Sequence, residues 1–393
     1  MSIRSTIPMS SASRFFVAAS DICPPFCNQM VMEGTGEIDL NKWKDAVREA
    51  SEKNPGSRYI LKGSLNSCRW VESRMMPQVR EVDGYGWDGQ SGEGAQFLMD
   101  KLCPIRGPAC EVLIVRGDPL RVVFRTHHGV MDGMGTITWV ADIFNALNGR
   151  SIRGSGSTVV ENDLVNSAPV SKQKIPIRFI PGSGPPNGHG AGFVWRRKRI
   201  VGHIHNLLPQ VMIQSAKEAW KGAEGNVRIG VPFDLRPRRK GLRATHNLTY
   251  VLFIDLTPEM TVDDVEFEIS DRLEKKLDGG WSLGDKLIHF VPLFLLKIFF
   301  KLQIRYHNRK GRYPFTGYIS NLGRLPLEKF SGGGFASDAF FFVPPGMGFL
   351  PFFLTLNGTQ NHVEFVMTMP EVLASEGRID NLLQRIASGV GPA

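Results

Sequence analysis

Cysteine is scarce in this chain and odd in number. Five, at 23, 27, 68, 103 and 110, cannot all pair, and no CxxC partner or nearby histidine completes a zinc set around Cys23 and Cys27. The first sixteen residues, MSIRSTIPMSSASRFF, lack the basic region and apolar core of a secretory signal. The expectation is free thiols in a reducing cytoplasm and no metal. Long apolar runs are also missing: the strongest, HFVPLFLLKIFFKLQIRYHNRK, is too short and too interrupted by lysine to span a bilayer. It reads as a helix with one apolar side in the core, for which Pro292 in the first turn speaks, or as one making peripheral contact with a membrane or a greasy substrate. No short internal repeat is present, which excludes solenoids and propellers. Neither a GxSxG elbow nor a cysteine-nucleophile signature appears, so nothing points to an acyl-enzyme.

Acidic residues are in deficit. Thirty-eight Asp and Glu face forty-seven Lys and Arg, a net charge of +9, so the surface draws anions. Much of the excess lies in WRRKR (195–199), RPRRKGLR (236–243) and RYHNRKGR (305–312). These clusters have no interleaved aromatics, and the chain has no zinc-finger, RNP or helix-turn-helix pattern, so nucleic acid is not expected as a partner. Anionic membrane, the phosphates of coenzyme A and the acidic face of a carrier protein remain, beside the plain alternative of a solvated basic face.

What is present fits two lobes. A chain of 393 residues that is 42% apolar has enough material for two cores. Residues 1–150 alternate helix and strand: DLNKWKDAVREASEKNP has helical spacing and stops at Asn-Pro, and CEVLIVRGDPLRVVFRTHH reads as a hairpin turning at RGDP. TITWVADIFNALNGR follows as a helix with Ile137, Val140, Phe144 and Leu147 on one face and Asn148-Gly149 as its stop. Residues 151–192 turn to Gly, Ser, Pro and Asn, the composition of an interlobe crossover. Residues 193–393 return to strands such as FVWRRKRIV, NVRIGVPFD, LTYVLFIDL and HVEFVMTMP, with flanking helices. A mixed α/β class is expected throughout.

Chemistry concentrates in RTHHGVMDGMG, residues 125–135, at the exit of a strand. Gly129, Gly133 and Gly135 favour a loop over a helix through the motif and allow close approach to its backbone. An imidazole on such a loop, with an ordinary pKa of about 6.5, can take a proton from a hydroxyl or amine near neutrality. Asp132 could fix the ring tautomer or hold the loop through an arginine elsewhere, and spacing alone leaves both open. A strand-end histidine satisfied by core hydrogen bonds is the bland alternative. His203 and His205 share a strand face but have no carboxylates to complete a metal set.

HHGVMDG resembles the HHxxxDG motif of the coenzyme-A-dependent acyltransferase superfamily, which includes nonribosomal-peptide condensation domains, chloramphenicol acetyltransferase, alcohol acyltransferases and wax ester synthases. VPFDLRP (231–237), THNLTYV (245–251) and GYISNLGRL (317–325) resemble further segments of that superfamily in its order, and the likeness spans nearly the whole chain. It implies two chloramphenicol-acetyltransferase-like lobes in a V with a central tunnel: 1–150, a 151–192 crossover, and 193–393. It implies His128 as general base for direct transfer, with Asp132 structural and held by Arg236. Gly133, Ser320 and Asn321 are candidates to stabilise the oxyanion, with His127 and Asn247 in support. No cofactor is bound permanently; the donor is acyl-coenzyme A or a phosphopantetheinyl carrier protein, and the acceptor an amine or alcohol, in secondary metabolism. A lipid or alcohol O-acyltransferase and a catalytically silent carrier-protein-binding member are the alternatives, and a monomer is favoured. The chain departs from the pattern in two places: His246-Asn247 stands where relatives carry Gly-Asn, and the plant DFGWG segment is absent.

Overall fold

The apolar alternation of the first half becomes a sheet with helices on one side. A computed structural model describes residues 5–165, 178–276 and 287–391. Its first half holds β1 (Thr6–Pro8), α1 (Ser11–Ser20), β2 (Cys27–Gly36), α2 (Leu40–Lys53), β3 (Tyr59–Lys62), β4 (Arg69–Glu72), β5 (Gln78–Asp83), β6 (Cys110–Arg116), β7 (Leu120–His127) and α3 (Gly133–Leu147). Asp39 caps α2, accepting from the Asn41 and Lys42 amides, and its Trp43, Ala46, Val47 and Ala50 turn inward at helical spacing. The helix stops where Asn54-Pro55 cannot continue it. β6 and β7 form the expected antiparallel hairpin, pairing Cys110 with Thr126, and both are buried almost throughout.

The second half holds β8 (Phe193–Val201), α4 (Leu207–Gly222), β9 (Val227–Asp234), β10 (Thr249–Leu256), α5 (Val262–Glu274), α6 (Leu293–Lys310), β11 (Gly317–Arg324), β12 (Phe335–Val343), β13 (Phe353–Gly358), β14 (His362–Pro370), α7 (Glu371–Ala374) and α8 (Arg378–Ser388). Six of these strands make one mixed sheet, in the order β10-β9-β11-β13-β14-β8. The other large sheet has the order β12-β2-β7-β6-β5, and β1, β4 and β3 form a third, small one. Part of the expected 151–192 crossover, residues 166–177, lies outside the described residues.

Within 193–393, one strand leaves the six-stranded sheet and joins the sheet of the first half. β12 crosses back and lies antiparallel on β2, pairing Phe335 with Gly36 and Val343 with Gln29. Gly34 makes the approach workable: a Cβ there would sit 2.0 Å from the Ala336 carbonyl oxygen. Charge also ties the lobes. Arg197 of β8 reaches Glu33 of β2 and Glu364 of β14, each at 2.8 Å, with Arg121 on Glu33 at 3.0 Å. Burial alone would raise the Glu364 pKa, but hydrogen bonds and charge from Arg197 prevail and bring it to about 2. The WRRKR cluster is therefore largely spent internally, since Arg199 also meets Glu364 and Arg196 meets Asp380.

Candidate active site

The two adjacent histidines at the end of β7 carry opposite tautomers. His127 is fully buried, and its Nδ1 accepts the Gly129 amide at 3.0 Å, which leaves the ring proton on Nε2. Burial, then the neighbouring His128, brings its pKa down to about 3. His128 is the reverse: its Nδ1 lies 3.2 Å from the Met131 carbonyl oxygen, which can only accept. The proton is therefore on Nδ1, and Nε2 keeps a free lone pair. Phe16 stacks on the ring with centroids 4.4 Å apart, and burial holds the His128 pKa below its ordinary value.

Asp132 does not touch the His128 ring. It caps α3, accepting the Gly135 amide at 2.6 Å, and meets Arg236 in a two-pronged pair, Nη2 to Oδ1 at 3.0 Å and Nη1 to Oδ2 at 3.1 Å. The Leu248 amide at 2.7 Å and the Thr249 hydroxyl at 2.9 Å donate to Oδ2. Burial alone would raise this carboxyl; Arg236 and the two amides outweigh it, so Asp132 titrates below the ordinary range. Arg236 also donates to the Ala244 and His246 carbonyls and to Asp234. Asn247 Nδ2 donates to the His128 carbonyl at 2.6 Å, so the second lobe grips the histidine loop directly. At the Gly-Asn departure, His246 has no positive φ, and its ring bonds the Val159 carbonyl instead. The glycine that matters here is Gly135, where a Cβ would lie 2.0 Å from the Thr245 carbonyl oxygen.

His128 opens into a cavity of about 400 Å³ between the lobes. Val231, Phe233, Val251, Phe342, Met347 and Phe353 give it an apolar wall, and Gly133, Ser320 and Asn321 also line it. Gly133 is the first residue of α3, so its amide is one of those left free at the helix N-terminus, and the residue lines the cavity. Asn321 is exposed, and its side-chain oxygen turns back to accept the Gly323 amide at 3.0 Å. A second cavity of about 320 Å³ shares Leu208 and Asn321 with the first and carries Arg324. His203 and His205 sit exposed beyond the end of β8, not on a strand face, and neither lines a cavity, although Ile204 and Asn206 beside them line the second one. Among the described residues no three or more His, Cys, Asp or Glu side chains converge as a metal site. The cysteines are free, and burial pushes the Cys23 thiol up to about 11, out of the range of a reactive thiolate.

Among the cavity residues that sequence reasoning missed, three stand out. Phe16 belongs to α1, whose only local signal is Ser10, the cap that accepts the Ser13 amide. Glu161 lies in the stretch read as a bare crossover, yet it is buried in the cavity wall and accepts from Ser10 at 2.9 Å. Burial raises its pKa to about 7. Asp234 also lines the cavity, and nothing in VPFDLRP marked it apart from Arg236.

No protein-family model and no curated protein matches the sequence. Solved structures do. The condensation domain of the Monacolin K polyketide synthase MokA aligns at 12% identity over 98% of this chain and 96% of that one, with a TM-score of 0.63. A variant of the starter condensation domain of rhizomide synthetase RzmA, in complex with C8-CoA, aligns at 15% identity over 99% of this chain and 96% of that one, TM-score 0.63. The epimerization domain from the third module of tyrocidine synthetase B aligns at 11% identity over 98% and 96%, TM-score 0.59. The class these comparisons define is the condensation-domain fold: two chloramphenicol-acetyltransferase-like lobes, here with His128 in the cleft between them.

Proposed function

We propose that the chain is a condensation-type acyltransferase in which His128 is the general base. The observation that carries this reading is the His128 tautomer: Nδ1–H is committed to Met131, and Nε2 is left free at an apolar cavity. Nε2 removes the proton from an amine or hydroxyl as it attacks the thioester carbonyl. The oxyanion develops near the Gly133 amide at the positive end of α3, with Ser320 as a second donor. Collapse breaks the carbon–sulfur bond, and the imidazolium returns its proton to the departing thiolate. The products are an amide or ester and a free thiol, with no acyl-enzyme. Asp132, Arg236 and Asn247 position the histidine loop and do not move protons.

The apolar wall supports an acyl chain as donor group, and the adjoining cavity with Arg324 supports a donor arm that carries phosphate. Both coenzyme A and a phosphopantetheinyl carrier protein have such an arm. Some RzmA structures are complexes with C8-CoA, and one of these also holds Leu-SNAC, which makes a C8 acyl-coenzyme A with an aminoacyl thioester the first pair to assay. Substitution of His128 by alanine is expected to lower product formation about 10²–10⁴-fold while binding of the donor persists. Full turnover by that variant would remove the base assignment. Parallel amine and alcohol acceptors distinguish amide from ester formation.

A further inference from the structure

The helix α6 has two apolar faces, and the fold uses only one. Leu296, Phe300 and His307 turn inward, where Phe300 meets Phe15 of α1 with ring centroids 4.6 Å apart. On the outer side Phe294, Leu295, Ile298, Phe299, Leu302 and Tyr306 are each between 44% and 61% exposed. Scattered apolar exposure is ordinary, but among the described residues eight of the sixteen exposed large apolar side chains fall within 287–306, which makes a patch. The expectation of a plain core helix thus holds for one face only, and Pro292 stands at the cap, not within the first turn.

Charge identifies the occupant. Lys297, Lys301, Arg305 and Arg309 recur at four-residue intervals and so form a line along one border of the outer apolar stripe. Lys297 pairs with Asp21, while Lys301, Arg305 and Arg309 make no ion pair among the described residues. No Asp or Glu occurs anywhere in 293–310. We propose that α6 docks this protein on an anionic lipid surface, lying in the interface plane with its outer aromatic and aliphatic side chains in the headgroup region. A second copy of the chain fits poorly, because two-fold pairing would set these cations against their own counterparts. The helix does not cross the bilayer: no helix among the described residues is long and apolar enough. The inner face of α6 touches α1, whose Phe16 stacks on His128, so the docked surface lies one helix from the cavity. The proposal does not depend on the acyl-transfer reading.

Co-sedimentation of the full chain with vesicles tests it. Binding is expected with phosphatidylglycerol mixed equally into phosphatidylcholine, weak binding with phosphatidylcholine alone, and loss of binding in high salt. A Lys301→Glu, Arg305→Glu variant should partition at least about thirtyfold more weakly, and Ile298→Ser with Phe299→Ser should also release the protein. Unchanged thermal midpoints and circular dichroism establish that both variants fold. Equal binding to the two vesicle types, or undiminished binding by both variants, overturns the proposal. So does a lipid-free dimer in sedimentation velocity that the Ile298→Ser, Phe299→Ser variant dissociates.

Discussion

At the residue scale the telling difference is between two neighbours of the same type. The Gly129 amide makes His127 an acceptor at Nδ1, whereas the Met131 carbonyl makes His128 a donor there. Only His128 therefore presents a basic nitrogen to the cavity. Its pKa is depressed by burial, so the neutral, active form persists below the ordinary 6.5. The acid limb of kcat/KM is expected to lie below pH 6.5, with activity lost as pH falls through it; a limb above 6.5 contradicts the assigned environment. The motif made His128 and Asp132 legible as candidates. It could not tell a dyad from a loop tie, because that depends on Arg236, 104 residues away in sequence. Glu161 was illegible for a related reason: a lone carboxylate in a Gly/Ser-rich stretch carries no periodic signal, and only the folded chain brings it to Ser10.

At the element scale α3 joins the lobes through its first turn. Asp132 caps it and binds Arg236, and Gly135 lets the Thr245 carbonyl come within a distance that no side chain permits. Gly135→Ala is expected to cost about 1–3 kcal/mol by forcing that contact apart, and to lower kcat by shifting the His128 loop. Urea unfolding beside a turnover assay checks both, and unchanged stability would mean that the approach is slack. The periodic elements, α2, α3 and the β6–β7 hairpin, were readable because each buries one face of a regular pattern. The partner of β12 was not readable: FASDAFFFV announces a strand, but pairing with β2 is set by the Gly34 and Gly36 contacts, not by any local pattern. The apolar run of α6 likewise predicted a helix but left open whether its apolar residues all turn to the core or some face outward.

Over the whole molecule, buried titrating groups set opposing pH dependences. Burial lowers the pKa of His127, His128, His246 and His307, so the unfolded chain binds more protons just below pH 6.5, and stability falls as the solution is acidified through that range. Glu161 acts in the other direction. Its pKa rises from 4.5 to about 7 on folding, so the native state holds the extra proton and stability falls as pH rises between those values. Glu161→Gln is therefore expected to raise the thermal midpoint, relative to the parent, more at about pH 8 than at about pH 5. Melting curves of both proteins at the two pH values test the sign, and an equal shift at both means that Glu161 does not titrate as its surroundings imply.

The return of β12 to β2 also bears on how the chain is made. Gly36 finds its partner Phe335 only after about 300 further residues have been added. At about 5–20 residues per second a ribosome needs roughly 15–60 s for that length. For that interval the nascent first lobe has an unpaired strand edge with Met30, Val31 and Met32 at its centre, the kind of edge on which chains join each other. The lobe that holds the histidines is thus completed only once β12 has been made, and no fragment that stops short of Val343 contains the whole of it.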